Sequence, residues 1–438
     1  MRFLGIGETC DLGDLYVSLL GEGHEVRISV SEEMAQGTLA GICPKARDWR
    51  GSLDWVREAG ADGIILFEAV SQGLGALQDS LRAAGFNVIG GSAYGDRLEN
   101  DRFYAQNLLA ELGFPAGHVW RFDSAESAAN FVSRHPDRYV MKYDGGAASS
   151  PNYIGQFADG RDVAALLRAR SRQETTTSSA FILMAFIDGV EMGVGAYFDG
   201  ERFLQPACLD WEHKRFFAGD LGELTGEMGT IVTFERTKRF FDLTLNKMEQ
   251  PLRDHGHVGY VNLNTIVNEE GIWPLEFTSR FGYPGFAILA PLQNLGWGEL
   301  FAAMVARSSR HFPTLSGFCA GVVLTTPPFP YSRKEVPEAV GLPVLIDPSL
   351  EPRHVHYGEV GLDAGELVTS GLYGWTLVVT GDGSEIADAR DAAYRNVRRV
   401  VVPNGRYRLD IGERLIGGDF ARLERMGLFD SVSAAEAY

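Results

Sequence analysis

Between Glu212 and Gly229 the chain gathers its densest set of polar groups. Glu212-His213-Lys214-Arg215 is followed by Ala218-Gly219-Asp220 and then by Thr225-Gly226-Glu227-Met228-Gly229. Three adjacent side chains able to carry positive charge, then two glycine turns, can surround a phosphate or a carboxylate. A solvated charged loop is the plain alternative. A second cluster runs from Pro274 to Gly282 and holds Glu276 and Arg280. A carboxylate at a strand end, with Asn264 on the neighbouring strand, can hold Mg²⁺ between nucleotide phosphates. Arg280, four residues on, can then reach a phosphoryl or carboxylate oxygen; an exposed strand end with an ordinary ion pair is the alternative. The third element is Lys142, which alternates with apolar Val140. Its ammonium either reaches a nucleotide phosphate or faces solvent. No Gly-x-x-x-x-Gly-Lys-Ser/Thr run occurs, which argues against a P-loop. His255 and His257 have no third ligand at useful spacing for a metal site.

The elements that must position these groups follow from hydrophobic period and turn residues. Strands are expected at Arg2 to Ile6, Glu25 to Val30, Gly63 to Phe67 and Asn87 to Ile89, and helices at Leu12 to Leu20, Leu53 to Ala59 and Leu74 to Ala84. Strands alternating with helices at this spacing predict a parallel sheet covered on both faces. Ligands of such sheets sit beyond the strands' carboxyl ends, here Gly7 to Asp14 and Glu68 to Gly75. A helix is expected over Leu98 to Leu112, stopped by Gly113 and Pro115. Tyr139 to Tyr143 reads as a strand opening into a mobile Gly/Ala/Ser-rich loop, Asp144 to Gly155. Phe181 to Phe186 and Glu191 to Phe198 read as strands around an Asp188-Gly189 turn. A further pair covers Gly259 to Val267 and Ile272 to Phe277. After a boundary at His311 to Gly317, short strands with helices near Ile386 to Val397 and Phe420 to Arg425 predict a small α+β region. The expected division is an amino-terminal α/β domain over 1–97, a central domain over 98–312 with a small mobile subdomain at about 113–190, and a carboxyl-terminal domain over 313–438.

Bulk properties narrow the class. A chain of 438 residues needs more than one core. A formal net charge of −18 repels nucleic-acid phosphates, so no nucleic-acid partner is expected. Cys10, Cys43, Cys208 and Cys319 are widely spaced and suit buried or free thiols in a reducing compartment, so a cytoplasmic location is expected. No apolar run is long enough for a membrane span, and Met1-Arg2-Phe3-Leu4 enters a strand-like run with no secretory leader.

Taken in order, the clusters resemble the phosphoribosylamine–glycine ligase (glycinamide ribonucleotide synthetase) family, which has the ATP-grasp fold. His213 to Gly229 is similar to the family's His-Lys-Arg, its Gly/Asp-rich turn and its Thr-Gly-Gly-Met-Gly. Leu275 to Gly282 is similar to Leu-Glu-Phe-Asn-x-Arg-Phe-Gly. Leu98-Glu99 leading into Arg102-Phe103-Tyr104-Ala105 resembles the helix entering the ATP-grasp region. The Ala389 to Tyr394 helix and Tyr407-Arg408-Leu409-Asp410-Ile411-Gly412 resemble the end of the family's last domain.

The resemblance implies α/β and α+β domains in an ATP-grasp arrangement. It also implies an enzyme that phosphorylates a carboxylate with ATP and Mg²⁺, Mn²⁺ being able to stand in, and lets an amine attack the acyl phosphate. On that reading Lys142, Arg102, Glu191 and His213 contact the nucleotide. Glu276, Asn264 and Thr278 hold the metal, and Lys214, Arg215 and Arg280 bind the acyl phosphate or its carboxylate. Gly7, Glu8 and Asp11, with Thr225, Gly226 and Glu227, line the substrate site. The partners implied are a small carboxylate and a small amine.

Departures are equally specific. The family's amino-terminal Gly-Gly-Arg-Glu-His, which binds the phosphoribosyl group, is replaced by Gly5-Ile6-Gly7-Glu8-Thr9-Cys10-Asp11. Arg102 replaces a lysine, and Asp144 to Ser150 lacks the loop lysine. Met184-Ala185 replaces an acidic pair at the adenine hinge, and Thr278 replaces an asparagine. A ligase with a changed amine substrate is therefore expected, the alternatives being the housekeeping purine enzyme and a nucleotide- or metabolite-binding relative without catalysis.

Overall fold

The computed structural model describes residues 1–68, 74–115, 117–143, 152–172 and 181–431. The chain forms two compact units. One comprises Met1–Asp96, Met192–Leu263 and Phe277–Tyr438; the other comprises Arg97–Glu191 and Asn264–Glu276.

The first unit opens with a parallel sheet in the order Glu25–Val30, Arg2–Gly7, Gly63–Phe67, Asn87–Ile89. Its central strands are apolar throughout because both faces are covered. Phe3, Ile64 and Leu66 pack with Leu15, Tyr16 and Leu19 of helix Gly13–Gly21. Leu4, Ile6, Ile65 and Phe67 pack on the other face with Val56 and Leu81. The same unit holds an antiparallel sheet whose neighbours run Val190–Phe198, Cys208–Glu212, Gly229–Thr233, Phe318–Thr325, Trp375–Gly383, Val355–Tyr357. The ladder between Gly229–Thr233 and Phe318–Thr325 crosses the expected boundary at His311 to Gly317, so the carboxyl-terminal strands extend a sheet begun by residue 192. Helix Ile386–Val397 lies so close to this sheet that a Cβ on Gly381 would strike the Ala393 main chain.

The second unit is a four-stranded antiparallel sheet in the order Val119–Phe122, Phe181–Ala185, Tyr139–Tyr143, Tyr153–Ile154. Helices Ala125–Arg134 and Arg161–Ser171 cover one face, burying Ala128, Val132, Tyr139, Met141, Val163, Leu167 and Leu183.

Two local expectations are corrected. The helix expected over Leu98 to Leu112 is two helices, Ala93–Asn100 and Arg102–Glu111. Asp101 breaks it because its carboxylate accepts the Tyr104 N–H at 2.9 Å and caps the second helix. The strands flanking Asp188-Gly189 are not hairpin partners. Phe181–Ala185 pairs with Tyr139–Tyr143, and Val190–Phe198 pairs with Cys208–Glu212. Gly189 instead allows close approach to Ile266 and the Val267 carbonyl. Of the loop expected at Asp144 to Gly155, residues 144–151 lie outside the described residues, and Tyr153–Ile154 is a short strand. Residues 69–73 of the second expected cleft segment also lie outside them. All four cysteines are buried free thiols. No helix among the described residues is long and apolar enough to cross a membrane.

Candidate active site

In the second unit, strand alternation separates the faces of Tyr139–Tyr143. Tyr139 and Met141 enter the helix-covered core, which leaves Val140 and Lys142 on the other face. The register sets Lys142 opposite Ile182 and Val140 opposite Met184, so an apolar surface surrounds one ammonium. The Glu276 carboxylate meets two cations: Arg102 Nη1 donates to its Oε2 at 2.8 Å, and Lys142 Nζ lies 3.8 Å from the same oxygen. All three side chains are between about one-sixth and one-quarter exposed, so the charges are only partly screened. Gln106, one helical turn beyond Arg102, donates to the Pro274 and Leu275 carbonyls at 3.2 and 3.0 Å and holds the strand leading to Glu276. Glu191 is exposed at the start of its strand. Asn264 is buried in Gly259–Asn268, the neighbour in the sheet of Gly271–Thr278. Thr278 follows Glu276 by two residues on the same strand.

Mg²⁺ needs only one or two protein carboxylates, the rest of its shell being phosphate and water oxygens. Glu276, the Asn264 amide oxygen and the Thr278 hydroxyl are hard oxygen donors, and this chemistry fits such an ion.

In the first unit the run Glu212 to Gly229 is folded on itself. Lys214 pairs with Glu212 at 3.2 Å. The Thr225 hydroxyl and N–H both donate to the Lys214 carbonyl at 2.8 Å. Arg215 donates to the Gly222 carbonyl at 2.7 Å across a two-stranded ribbon, Arg215–Phe217 with Leu221–Leu224. The His213 imidazole turns inward, its Nε2 accepting the Gly412 N–H at 3.1 Å. Burial, and then the Arg408 charge, bring its pKa down to about 4, so it is neutral at pH 7. That geometry makes His213 a brace of the loop. Arg408 completes the brace, donating to the Arg215 carbonyl at 3.0 Å and pairing with Asp220 at 2.8 Å.

Glu227 is 5% exposed and receives the Thr230 hydroxyl proton donor. Burial, then the charges of Glu212 and Asp210, raise its carboxyl far above the usual range. Asp210 accepts from Asn262 Nδ2 at 2.5 Å. Asp210 and Glu212 alternate along one strand and share a face, a signal present in the sequence that motif reading passed over.

At the end of strand Arg2–Gly7 the turn is acidic. Glu8 is exposed, and Asp11 is half-buried with its Oδ1 accepting the Thr9 hydroxyl at 2.6 Å. Burial raises the Asp11 carboxyl, against the Thr9 hydrogen bond and the Arg280 charge, which lower it. Asp11's N–H donates to Glu68 Oε2 at 2.8 Å, and a Cβ on Gly7 would collide with the same carboxylate. Burial, and then the Asp11 charge, push Glu68 up to about 8. Trp375 packs against Gly226, 3.3 Å from where a Cβ would stand. Tyr283 and Tyr373 flank Trp375, with ring centroids 5.0 and 5.8 Å away. Glu68 opens the second cleft segment expected from the sequence, whereas this aromatic group was not singled out there, and nothing local in the sequence announces it.

A parallel sheet followed by the two sheets gives the class of fold, which is ATP-grasp. Residues 100–286 match the family described as phosphoribosylglycinamide synthetase, ATP-grasp (A) domain. The chain is 29% identical over 360 residues to phosphoribosylamine–glycine ligase of Rhizobium meliloti, covering 79% of this chain and 82% of that protein. It is 25% identical to the enzyme of the same name from Neisseria meningitidis serogroup B, covering 77% and 81%. The crystal structure of phosphoribosylamine–glycine ligase from Thermotoga maritima superposes with a TM-score of 0.71 at 19% identity, over 94% of this chain and all of that one. The biotin carboxylase subunit of pyruvate carboxylase shares the fold at 10% identity and a TM-score of 0.57, over 98% and 96%. The resemblance carried by the motifs is thereby borne out: the chain has the ATP-grasp fold and is similar over about four-fifths of its length to phosphoribosylamine–glycine ligases.

Proposed function

We propose that the chain is an ATP-dependent carboxylate–amine ligase that works through an acyl phosphate and takes an amine other than phosphoribosylamine. The observation that carries the first part is Glu276 held between Arg102 and Lys142 at 2.8 and 3.8 Å. Two cations fixed beside one carboxylate at the end of a strand form a site built for phosphate and its counter-ion.

A carboxylate oxygen of the acid attacks the γ-phosphorus, and ADP leaves. The amine nitrogen then attacks the carbonyl carbon, phosphate leaves, and a proton is lost as the amide forms. Lys142 and Arg102 bind nucleotide phosphates, the apolar face around Ile182 and Met184 takes the adenine, and Glu191 serves the ribose. Glu276, Asn264 and Thr278 would hold Mg²⁺ or Mn²⁺, which would supply neutralisation of the charge on the transferring phosphoryl group. Lys214, Arg215 and Arg280 hold the acid and its acyl phosphate, and His213 keeps their loop in shape. Thr225, Gly226 and Glu227, with Gly7, Glu8 and Asp11, contact the substrates. We assign this chemistry to residues 98–312, with the small subdomain at about 113–190, between the amino-terminal domain (1–97) and the carboxyl-terminal domain (313–438).

The changed amine is supported by the acids at Glu8 and Asp11 and by Glu68 on the Asp11 N–H. The housekeeping reading is favoured by the name carried by relatives that span about four-fifths of the chain. One assay separates them: ADP and phosphate release from ATP with Mg²⁺, across amino acids paired with phosphoribosylamine and with other amines. Release that needs an acid and an amine other than phosphoribosylamine is the expected result. Release with glycine and phosphoribosylamine alone establishes the housekeeping reading, and no release with any pair overturns the ligase assignment.

A further inference from the structure

A buried cation is among the groups a fold can least leave without acceptors. Arg333 is 5% exposed and stands immediately before an exposed run, residues 334–341. One terminal nitrogen is in use: Nη1 donates to the Gly371 carbonyl at 2.7 Å and to the Ser370 carbonyl at 3.3 Å. Nε and Nη2 are buried and have no hydrogen-bond partner among the described residues. These two nitrogens share one edge of the guanidinium, and that edge can donate two parallel bonds to the paired oxygens of a carboxylate or phosphate.

The acid paired with Arg333 is committed elsewhere. Glu359 Oε2 lies 3.9 Å from Nη1, on the occupied side. Its two oxygens already accept the main-chain N–H groups of Leu372, Tyr373, Gly374 and Trp375. Glu338, whose charge also reaches the guanidinium, is exposed on the run that follows.

Two hydroxyls on the same seam share the deficit. Ser370 is 6% exposed, and its Oγ is buried with no partner among the described residues. Thr38 is fully buried, and its Oγ1 is in the same condition. The preceding residue, Gly37, touches Ser370: a Cβ there would stand 3.3 Å from the Ser370 Cβ. Segment 37–40 is fixed in place, since the Leu39 N–H donates to the Val360 carbonyl at 2.6 Å and the Leu362 N–H donates to the Ala40 carbonyl at 2.8 Å. A guanidinium edge and two hydroxyls, from three separate segments, all donors, therefore meet where the carboxyl-terminal strands cover the segment after the second parallel strand.

The charge balance selects the anion. A phosphate dianion brings a second charge and further oxygens, and the adjacent cation, Lys334, is turned away to Glu32 Oε2 at 2.6 Å. A planar monoanion with two oxygens matches one guanidinium edge.

We propose that the Nε and Nη2 edge of Arg333, with the Ser370 hydroxyl, binds a small monocarboxylate, which bridges the carboxyl-terminal strands to segment 37–40. This is a second carboxylate site, besides the one assigned to Lys214, Arg215 and Arg280, and it needs neither ATP nor turnover.

The test is calorimetric titration of the full chain with sodium formate in a zwitterionic buffer, with sodium chloride and sodium phosphate titrated for comparison. The wild type gives saturable heat with formate, and formate raises its urea unfolding midpoint, because a ligand of the folded state stabilises it. Arg333→Lys keeps the charge and loses the paired donors, so with a far-UV spectrum like the wild type's it binds formate about tenfold more weakly or worse. Ser370→Ala weakens formate by about threefold or more, and it carries the test alone where the Arg333 variant does not fold. Arg280→Ala, which removes a cation assigned to the substrate acid, keeps the formate heat. No saturable heat with the wild type, undiminished affinity in folded Arg333→Lys or in Ser370→Ala, loss of the heat in Arg280→Ala, or tighter binding of phosphate or chloride than of formate each overturns the proposal.

Discussion

Asp14 and His356 are 342 residues apart in sequence and are joined at 2.7 Å, Asp14 Oδ2 to His356 Nδ1. The other Asp14 oxygen accepts the Tyr357 N–H at 3.1 Å. His356 Nε2 meets the Thr380 hydroxyl at 3.1 Å, and that hydroxyl also meets His354 Nδ1 at 3.1 Å. His354 Nε2 in turn lies 3.2 Å from Asp382. A polar chain therefore ties the first helix to the carboxyl-terminal strands, and it removes Asp14 from the acids available to a ligand.

Because Asp14 and His356 are both buried, removing one leaves the other without its partner. His356→Ala lowers stability by about 3–5 kcal/mol, read from urea unfolding midpoints at pH 7. A midpoint equal to the wild type's would remove this contact from the stabilising set.

Glu276→Gln keeps the shape of the side chain and deletes the charge that Arg102 and Lys142 face. ADP release falls on the order of a thousandfold while the unfolding midpoint changes little. Turnover within about threefold of the wild type would contradict the assignment of Glu276 to the metal and phosphates.

Glu68 is held up at about 8, against an ordinary 4.5, so the folded state prefers its protonated form. Unfolding releases that proton above pH 4.5, and the wild type loses stability as pH rises from there towards 8. Glu68→Gln escapes the loss. Its stability relative to the wild type therefore rises by a few kcal/mol between pH 4.5 and 8 and is level above that. Chemical denaturation of both proteins across this window measures it, and parallel curves would show that Glu68 titrates normally.

Glu359 accepts the main-chain N–H groups of Leu372, Tyr373, Gly374 and Trp375, with Tyr373 shared between its oxygens at 3.0 and 2.9 Å. This turn presents Tyr373 and Trp375. In Glu359→Ala, amide hydrogen exchange accelerates at residues 372–375, by about a hundredfold or more, with protection kept in strand Arg2–Gly7. Unchanged protection at 372–375 would mean the turn is held by other contacts.

Much of the framework was legible. The strands Arg2–Gly7, Glu25–Val30, Gly63–Phe67 and Asn87–Ile89 lie where apolar runs and turn residues put them, because period and burial are coupled locally. The helix over Leu98 to Leu112 was misread because Asp101 is a weak break in a sequence and a decisive one in space, once its carboxylate caps the next turn. The Asp188-Gly189 pair had the sequence of a hairpin turn, but its glycine answers a packing demand from Ile266 and Val267 that no window around it contains.

By itself the sequence determined the class. Short windows, His213 to Gly229 and Leu275 to Gly282, carry the residue types and spacing of an ATP-grasp ligase, and residue type is a property of the chain alone. Only the tertiary structure decided which charges face which. Arg102 reaches Glu276 across 174 residues, Asp11 reaches Glu68 across 57, and His213 turns away from solvent to Gly412 across 199. The physical reason is that a charge's effect depends on its distance in space and on the water removed around it, and the folded chain sets both.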